Sequence, residues 1–295
     1  MMQEVKFCPA CGNTKFENFY SCKDYTVSNE TFQIIKCPTC SLAATSPRPS
    51  EEILGNYYLS KNYISHSNKA NSFIDRLYLI VRKFTLKQKL NLISKYSSTS
   101  TILDYGCGTG EFINICKSNS WNIIGIEPSN AAREKAAMIT HSKVYSSLAD
   151  LPNIEVNVIT LWHVLEHVPD FNNVLKKLST HLTKNGIIFI AVPNYESYDA
   201  ESYQELWAGY DVPRHLWHFS KFSLEKILNN NSLTLKSIVP MKFDSFYVSL
   251  LSEKYKHNNT FSIKGFLNAI SIGLKSNWKA RRTGNYSSLI YIIQK

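Results

Sequence analysis

Four short apolar runs, at 101–104, 123–126, 156–161 and 187–192, alternate along the chain with helical stretches at 111–119, 129–140 and 172–182. Runs this short and this continuous suit strands buried on both faces, and the stretches between them suit the helices that cover those faces. Strand alternating with helix predicts an α/β fold built on a parallel sheet. Residues 233–239 and 288–293 read as two further strands. Upstream, residues 73–96 carry apolar side chains at 73, 74, 77, 80, 81, 84, 86, 90, 92, 93 and 96, close to helical spacing. They predict a long amphipathic helix lying on the sheet, with Arg76, Arg82, Lys83, Lys87, Lys89 and Lys95 on its polar face.

The first run leads into a glycine-rich turn, Asp104-Tyr105-Gly106-Cys107-Gly108-Thr109-Gly110. Glycines there reach backbone conformations closed to other residues and let a ligand approach the main chain. Glu127 ends the next strand, at about the 20-residue spacing expected of an acid that holds ribose hydroxyls. Asp104 beside the glycines disfavours a phosphate ligand by charge repulsion. Ligands on such sheets sit at the carboxyl ends of the strands, where Gly106, Glu127, Asp150, Trp162 and Asn194 fall together.

The stretch D-Y-G-C-G-T-G-E-F resembles the first motif of class I S-adenosylmethionine-dependent methyltransferases, and the likeness continues through most of 99–295. It implies a Rossmann-like seven-stranded sheet with helices on both faces and an antiparallel last strand. The cofactor set it implies is Asp104, Gly106, Cys107, Gly108, Gly110, Glu127, Asp150 near the adenine, and Trp162 and His163 bordering the adenosine or the acceptor. His163, Glu166 and His167 share a V-L-E-H-V stretch that in this family lines the crevice and starts a helix, a reading preferred here over a metal site.

Cys8-x-x-Cys11 and Cys37-x-x-Cys40 bring four thiols to the front of the chain. Two such pairs form a closed tetrahedral zinc site, and the residues between them are too few for a large core without one. Disulfides or metal-free thiols are the alternatives. Residues 1–7 include Glu4 and Lys6 with no apolar core, so no secretory signal is read and a cytoplasmic location is expected, which disfavours disulfides. Cys22, Cys107 and Cys116 read as structural. With 295 residues, the partition expected is a zinc-ribbon-like module at 1–50, a helical connector at 51–98 including an aromatic loop up to Tyr63, and the methyltransferase domain at 99–295. An insert at about 241–282 would serve as a substrate lid.

No apolar run reaches the 18 or so residues of a membrane span. A net charge of +10 is compatible with anionic partners, RNA included, but no basic run is continuous. The segment 210–223 holds Asp211, Arg214, His215, Trp217 and His218 after the fifth strand. His218 is the first candidate for a general base and His215 the second, with packing against the following helix as the alternative for both. Arg214 can grip an anion through its planar fork or pair with Asp211. The H-F-S-x-F-S part of this loop, with the cysteine pairs, resembles sugar C-methyltransferases. The chain has His215 and Trp217 where those enzymes have Tyr and Glu, and it lacks their C-terminal domain. The expectation is methyl transfer to a small-molecule acceptor, such as a glycosyl or nucleotide-sugar intermediate. The rival readings are an rRNA or tRNA methyltransferase and a non-catalytic scaffold.

Overall fold

The computed structural model describes residues 1–58, 73–98, 100–258, 260 and 262–295. The aromatic loop expected as far as Tyr63 lies partly outside them, as do the side chains of Arg76 and Arg82. At the front of the chain come β1 (Met2–Gln3), β2 (Glu17–Lys23), β3 (Thr31–Lys36), β4 (Ala43–Thr45) and β5 (Arg48–Pro49), then α1 (Glu51–Leu54) and the long α2 (Phe73–Ser94). Each C-x-x-C pair closes a tight turn. Gly12 N–H bonds Cys8 O and Ser41 N–H bonds Cys37 O, and both residues take positive φ.

The rest of the chain supplies β6 (Thr101–Tyr105), α3 (Glu111–Ser118), β7 (Asn122–Ile126), α4 (Asn130–Thr140), β8 (Val144–Tyr145), β9 (Val156–Trp162), α5 (Phe171–Thr180) and β10 (Leu182–Pro193). After these come α6 (Tyr198–Tyr203), β11 (Trp217–His218), α7 (Lys221–Asn230), β12 (Thr234–Pro240), α8 (Asp244–Lys256), α9 (Ile263–Thr283) and β13 (Ser288–Gln294). The main sheet has seven strands in the order β12-β13-β10-β9-β6-β7-β8, with β13 antiparallel to both neighbours. This is the expected Rossmann-like methyltransferase sheet.

Alternate residues of each strand face opposite layers. Ile102, Val158, Phe189 and Ile292 pack under α2, α3 and α4 together with Leu90, Ile93, Phe112 and Ala136. Leu103, Ile159, Ile188 and Ile293 face α5 and α7 with Phe171, Leu175, Leu178, Leu224 and Ile227. Burying both faces is what permits continuous apolar strands. Local signals set the helix ends. Asp170 accepts the Asn173 N–H at the start of α5, Ser220 and Ser223 form a reciprocal capping box on α7, and Gly284 ends α9 with φ +72°.

The helix expected at the V-L-E-H-V stretch is instead a single 3₁₀ turn, Leu165–His167. Pro169 pushes Val168 into extended backbone (φ −84°, ψ 116°), so α5 starts only after it. The insert is a pair of helices, α8 and α9, and α9 continues past Trp278 to Thr283.

The cysteine module does not stand apart. Trp217 and His218 in β11 pair antiparallel with Ala44 and Ala43, completing a four-stranded sheet β11-β4-β3-β2. Cys8, Cys40 and Leu42 lie in the same apolar cluster as Phe171, Leu175 and Trp217.

Candidate active site

Gly106, Gly108 and Gly110 all take positive φ, at +76°, +55° and +86°. A Cβ on Gly106 would stand 2.6 Å from Val164 Cγ2, and one on Gly110 would stand 2.8 Å from the Ala136 backbone. Above Gly108 nothing lies within 4 Å, so this glycine opens the turn to a ligand. Glu127 ties the turn to the end of β7, its carboxylate accepting the Gly108 N–H at 2.8 Å and the Ser129 N–H at 2.9 Å. Asp104 is buried and accepts the Thr160 hydroxyl at 2.6 Å. Burial raises its carboxyl to about 7 against the pull of that bond. Burial pushes the Cys107 thiol up as well, so this side chain packs as a neutral group. Asp150 is exposed and accepts hydroxyl bonds from Ser146 and Ser147, which hold its carboxyl below the usual range.

At the end of β9, Trp162 meets Phe112 edge to face at 5.3 Å, and Lys89 Nζ sits 4.5 Å from its ring centre. The buried Trp162 Nε1 has no hydrogen-bond partner among the described residues. An orphan donor beside an open glycine turn and a carboxylate at the next strand end fits a nucleoside-type cofactor such as S-adenosylmethionine. His163 follows in left-handed backbone, φ +56°, with its N–H on Ala191 O at 2.9 Å. Its Nε2 lies 3.2 Å from Asp244 and its Nδ1 3.4 Å from Glu166. Burial opposes protonation, but these two carboxylates carry the imidazole up to about 9. Asp244 opens α8, so the insert reaches the crevice mouth here. That contact carried no local signal in the sequence.

The histidines of 210–223 sit deeper than a solvent-facing loop would place them. His218 is 4% exposed, and its Nε2 lies 3.1 Å from Thr45 Oγ1. Because the Thr45 hydroxyl gives its own proton to His215 O at 2.7 Å, His218 Nε2–H must donate to it, and Nδ1 keeps the lone pair. Burial drives the His218 pKa well below its ordinary value, so the ring is neutral. His215 and His218 line a small void with Pro193, Tyr195, Trp207 and Trp217.

His215 Nδ1 lies 2.9 Å from Gly209 O and His167 Nδ1 lies 3.0 Å from Arg214 O. A carbonyl can only accept, so in both rings Nδ1 carries the proton and Nε2 the lone pair. Among the described residues Glu166, 1% exposed, has the His163 ion pair but no hydrogen bond at either oxygen, and ligand atoms of Glu166, His167 and His215 lie within 4.8 Å of one another. Such converging acceptors can hold a proton or a cation. The expected grouping of His163, Glu166 and His167 on one helix face does not form; the fold groups Glu166 and His167 with His215 instead.

Arg214 is fully buried and serves neither as an exposed anion clamp nor as the partner of Asp211 alone. Its guanidinium donates to Asp211 at 2.6 and 3.0 Å and to Asp24 of the cysteine module at 3.0 Å. Burial works against both carboxylates, yet the Arg214 charge holds Asp24 and Asp211 below the usual range. Asp24 and Thr45 were outside the expected site, and their partners lie 190 and 173 residues away.

Cys8 and Cys40 place their sulfurs 3.4 Å apart, and Cys11 and Cys37 place theirs 3.5 Å apart. A regular tetrahedron with bonds of about 2.3 Å needs sulfurs about 3.8 Å apart, and a disulfide needs about 2.05 Å, so the cluster fits a metal. Asn13 Nδ2 donates to Cys37 Sγ at 3.5 Å. Against burial, this bond and neighbouring N–H groups bring the Cys37 thiol down to about 6.

A methyltransferase domain model matches residues 78–238. Among curated proteins, the ubiquinone biosynthesis O-methyltransferase of Rickettsia typhi is 24% identical over 206 residues, covering 65% of this chain and 79% of that one. The enzyme of that name from Colwellia psychrerythraea is 32% identical over 102 residues, covering 32% and 42%. Among solved structures, magnesium protoporphyrin IX methyltransferase of Synechocystis PCC 6803 with bound SAH superposes with a TM-score of 0.54. It is 12% identical, with 83% of this chain and all of that one covered. StiE O-MT gives a TM-score of 0.51 at 16% identity, over 77% and 78%. With a family model spanning more than half of its length, and with the glycine turn, Glu127 and the seven-strand order that go with it, the chain belongs to the S-adenosylmethionine-dependent methyltransferases of the methyltransferase domain family.

Proposed function

We propose that the chain methylates a small-molecule acceptor in the crevice bounded by the glycine turn, Glu127, Trp162 and His163. The observation that carries this reading is the Asp244–His163 contact at 3.2 Å, which brings the start of the insert to the crevice mouth. A crevice narrowed there would suit a small, desolvated acceptor better than a nucleic-acid strand. The cysteine module supports the same reading, since its fourth strand is paired with β11 and its core is shared with α5. The curated relatives named above act in ubiquinone biosynthesis, which makes an aromatic or other hydroxyl the first acceptor class to test, with glycosyl acceptors next.

In this reading Gly106, Gly108 and Gly110 would give the cofactor close access to the main chain, Glu127 would accept bonds from ribose hydroxyls, and Asp150 and Trp162 would help hold the base. The cofactor, when bound, supplies an electrophilic methyl group. The chain contributes orientation and exclusion of water. Neutral His218, with its Nδ1 lone pair, is the candidate proton acceptor, and His215 shares its void. Cys8, Cys11, Cys37 and Cys40 would hold a structural zinc ion, and four sulfur ligands would leave no position for substrate.

Titration calorimetry with S-adenosylhomocysteine tests the assignment. Micromolar binding that falls at least about tenfold in Glu127→Ala is expected, since each lost charge-assisted bond is worth about 1.5–3 kcal/mol. Unchanged affinity in that variant would overturn the site. Transfer of labelled methyl to tRNA, with none to small hydroxylated acceptors, would overturn the acceptor class.

A further inference from the structure

Ile263, Leu267, Ile270, Leu274 and Trp278 on α9 are each between 37% and 76% exposed. Their spacing of three and four residues gathers them into one stripe, an arc of roughly 80° on a helix of 3.6 residues per turn. The opposite side of the helix is the one the fold uses. Gly265, Ala269, Gly273, Ser276 and Ala280 are buried, with Gly273 against Phe246 and Ser276 on Asp199. The stripe is therefore not core displaced from its place. It is a second, outward apolar face, and large exposed apolar patches mark interaction sites.

Charge indicates what covers it. From Ile263 to Thr283 the helix carries Lys264, Lys275, Lys279, Arg281 and Arg282 and no acidic residue, and all five basic side chains are exposed. On a helical wheel Lys264, Lys275 and Arg282 border the stripe on one side, while Trp278 closes its C-terminal end. Leucine, isoleucine and tryptophan on one face, with lysine and arginine along its border, is a composition found in helices that lie in the plane of an anionic membrane surface. A net charge of +10 adds long-range attraction to the same surface. None of the helices described is long and apolar enough to cross a membrane, so the attachment is interfacial.

We infer that α9 docks the enzyme on an anionic lipid bilayer, with the stripe in the interfacial layer and the basic side chains on the headgroups. The C-terminal half of α9 lies beside the start of α8, with Asn277 Nδ2 on Lys242 O at 2.9 Å. Two residues on, Asp244 meets His163 at the crevice mouth. Docking therefore brings the methyl-transfer crevice close to the lipid surface.

The test is co-sedimentation of the 295-residue chain with vesicles of phosphatidylcholine alone and of phosphatidylcholine with phosphatidylglycerol, at low and high salt. Binding to the anionic vesicles, weaker by about tenfold on neutral ones and falling with salt, is expected. Leu267→Ser/Leu274→Ser/Trp278→Ser changes only exposed side chains, so its thermal midpoint and S-adenosylhomocysteine affinity should match wild type while vesicle binding drops at least about tenfold. Absence of vesicle binding in the wild type would overturn the inference, as would binding unchanged in the triple variant. So would a stable dimer in lipid-free solution that the triple variant dissociates, since the stripe would then be an interface between copies of the chain.

Discussion

Replacing Asp244 by Asn removes one of the two carboxylates that face His163 and nothing of its shape, so it isolates the electrostatic link between the insert and the crevice. The imidazole moves from an ordinary value near 6.5 to about 9, with burial opposing and Asp244 and Glu166 prevailing. At about 1.36 kcal/mol per pH unit the ceiling on its stabilisation is about 3.4 kcal/mol. The His163 side chain is 32% exposed, and solvent screening lowers the realistic figure to about 1–2 kcal/mol. The sign follows from a folded pKa raised above the unfolded one. The contribution is fully present below pH 6.5, fades as pH rises from 6.5 towards 9, and is gone above that. Urea unfolding of Asp244→Asn at pH 6 should therefore show a loss of about 1 kcal/mol, narrowing to a few tenths at pH 9.5. Histidine ring signals followed by NMR should place His163 near 9 in the wild type and clearly lower in the variant. An equal loss at both pH values, or a wild-type His163 titrating near 6.5, would refute the ion-pair account and leave shape alone as what holds the insert in place.

Arg214→Met should cost about 3–5 kcal/mol in urea unfolding, because it leaves the Asp24 and Asp211 carboxylates facing each other without their cation. Adding Asp24→Asn and Asp211→Asn should recover a large part of that, and a single-variant loss under about 1 kcal/mol would contradict the buried-pair assignment. Chelation should release one zinc ion per chain from the four-cysteine cluster and lower the thermal midpoint by at least about 5 °C, with Cys11→Ser reproducing both effects. Metal-free protein with an unchanged midpoint would exclude a structural zinc.

The parts of this molecule that could be read from the chain are those whose signal is local. β6, β7, β9 and β10 announce themselves as continuous apolar runs because helices bury both their faces. The glycines announce the turn because each takes a positive φ, and two C-x-x-C pairs announce a thiol cluster. β8 is two residues long, Val144–Tyr145, and has no period to detect. The partners of His215, His218 and Arg214 were illegible for another reason. Their surroundings come from Thr45, Asp24 and β4, more than 165 residues earlier, and no spacing rule joins positions that far apart. The sequence offers packing as an alternative for both histidines, but it cannot name the strand they pack against.

The pairing of β11 with β4 also bears on how such a protein can be inherited. A beaded module can be lost or exchanged by recombination at its linker, leaving its host intact. Here a cut after residue 50 would strip β11 of β4, its one strand neighbour among the described residues, uncover Trp217 and take the hydroxyl from between His215 O and His218. The cysteine pairs and the methyltransferase sheet are therefore expected to be inherited as one unit, with a change in either half favouring compensation in the other.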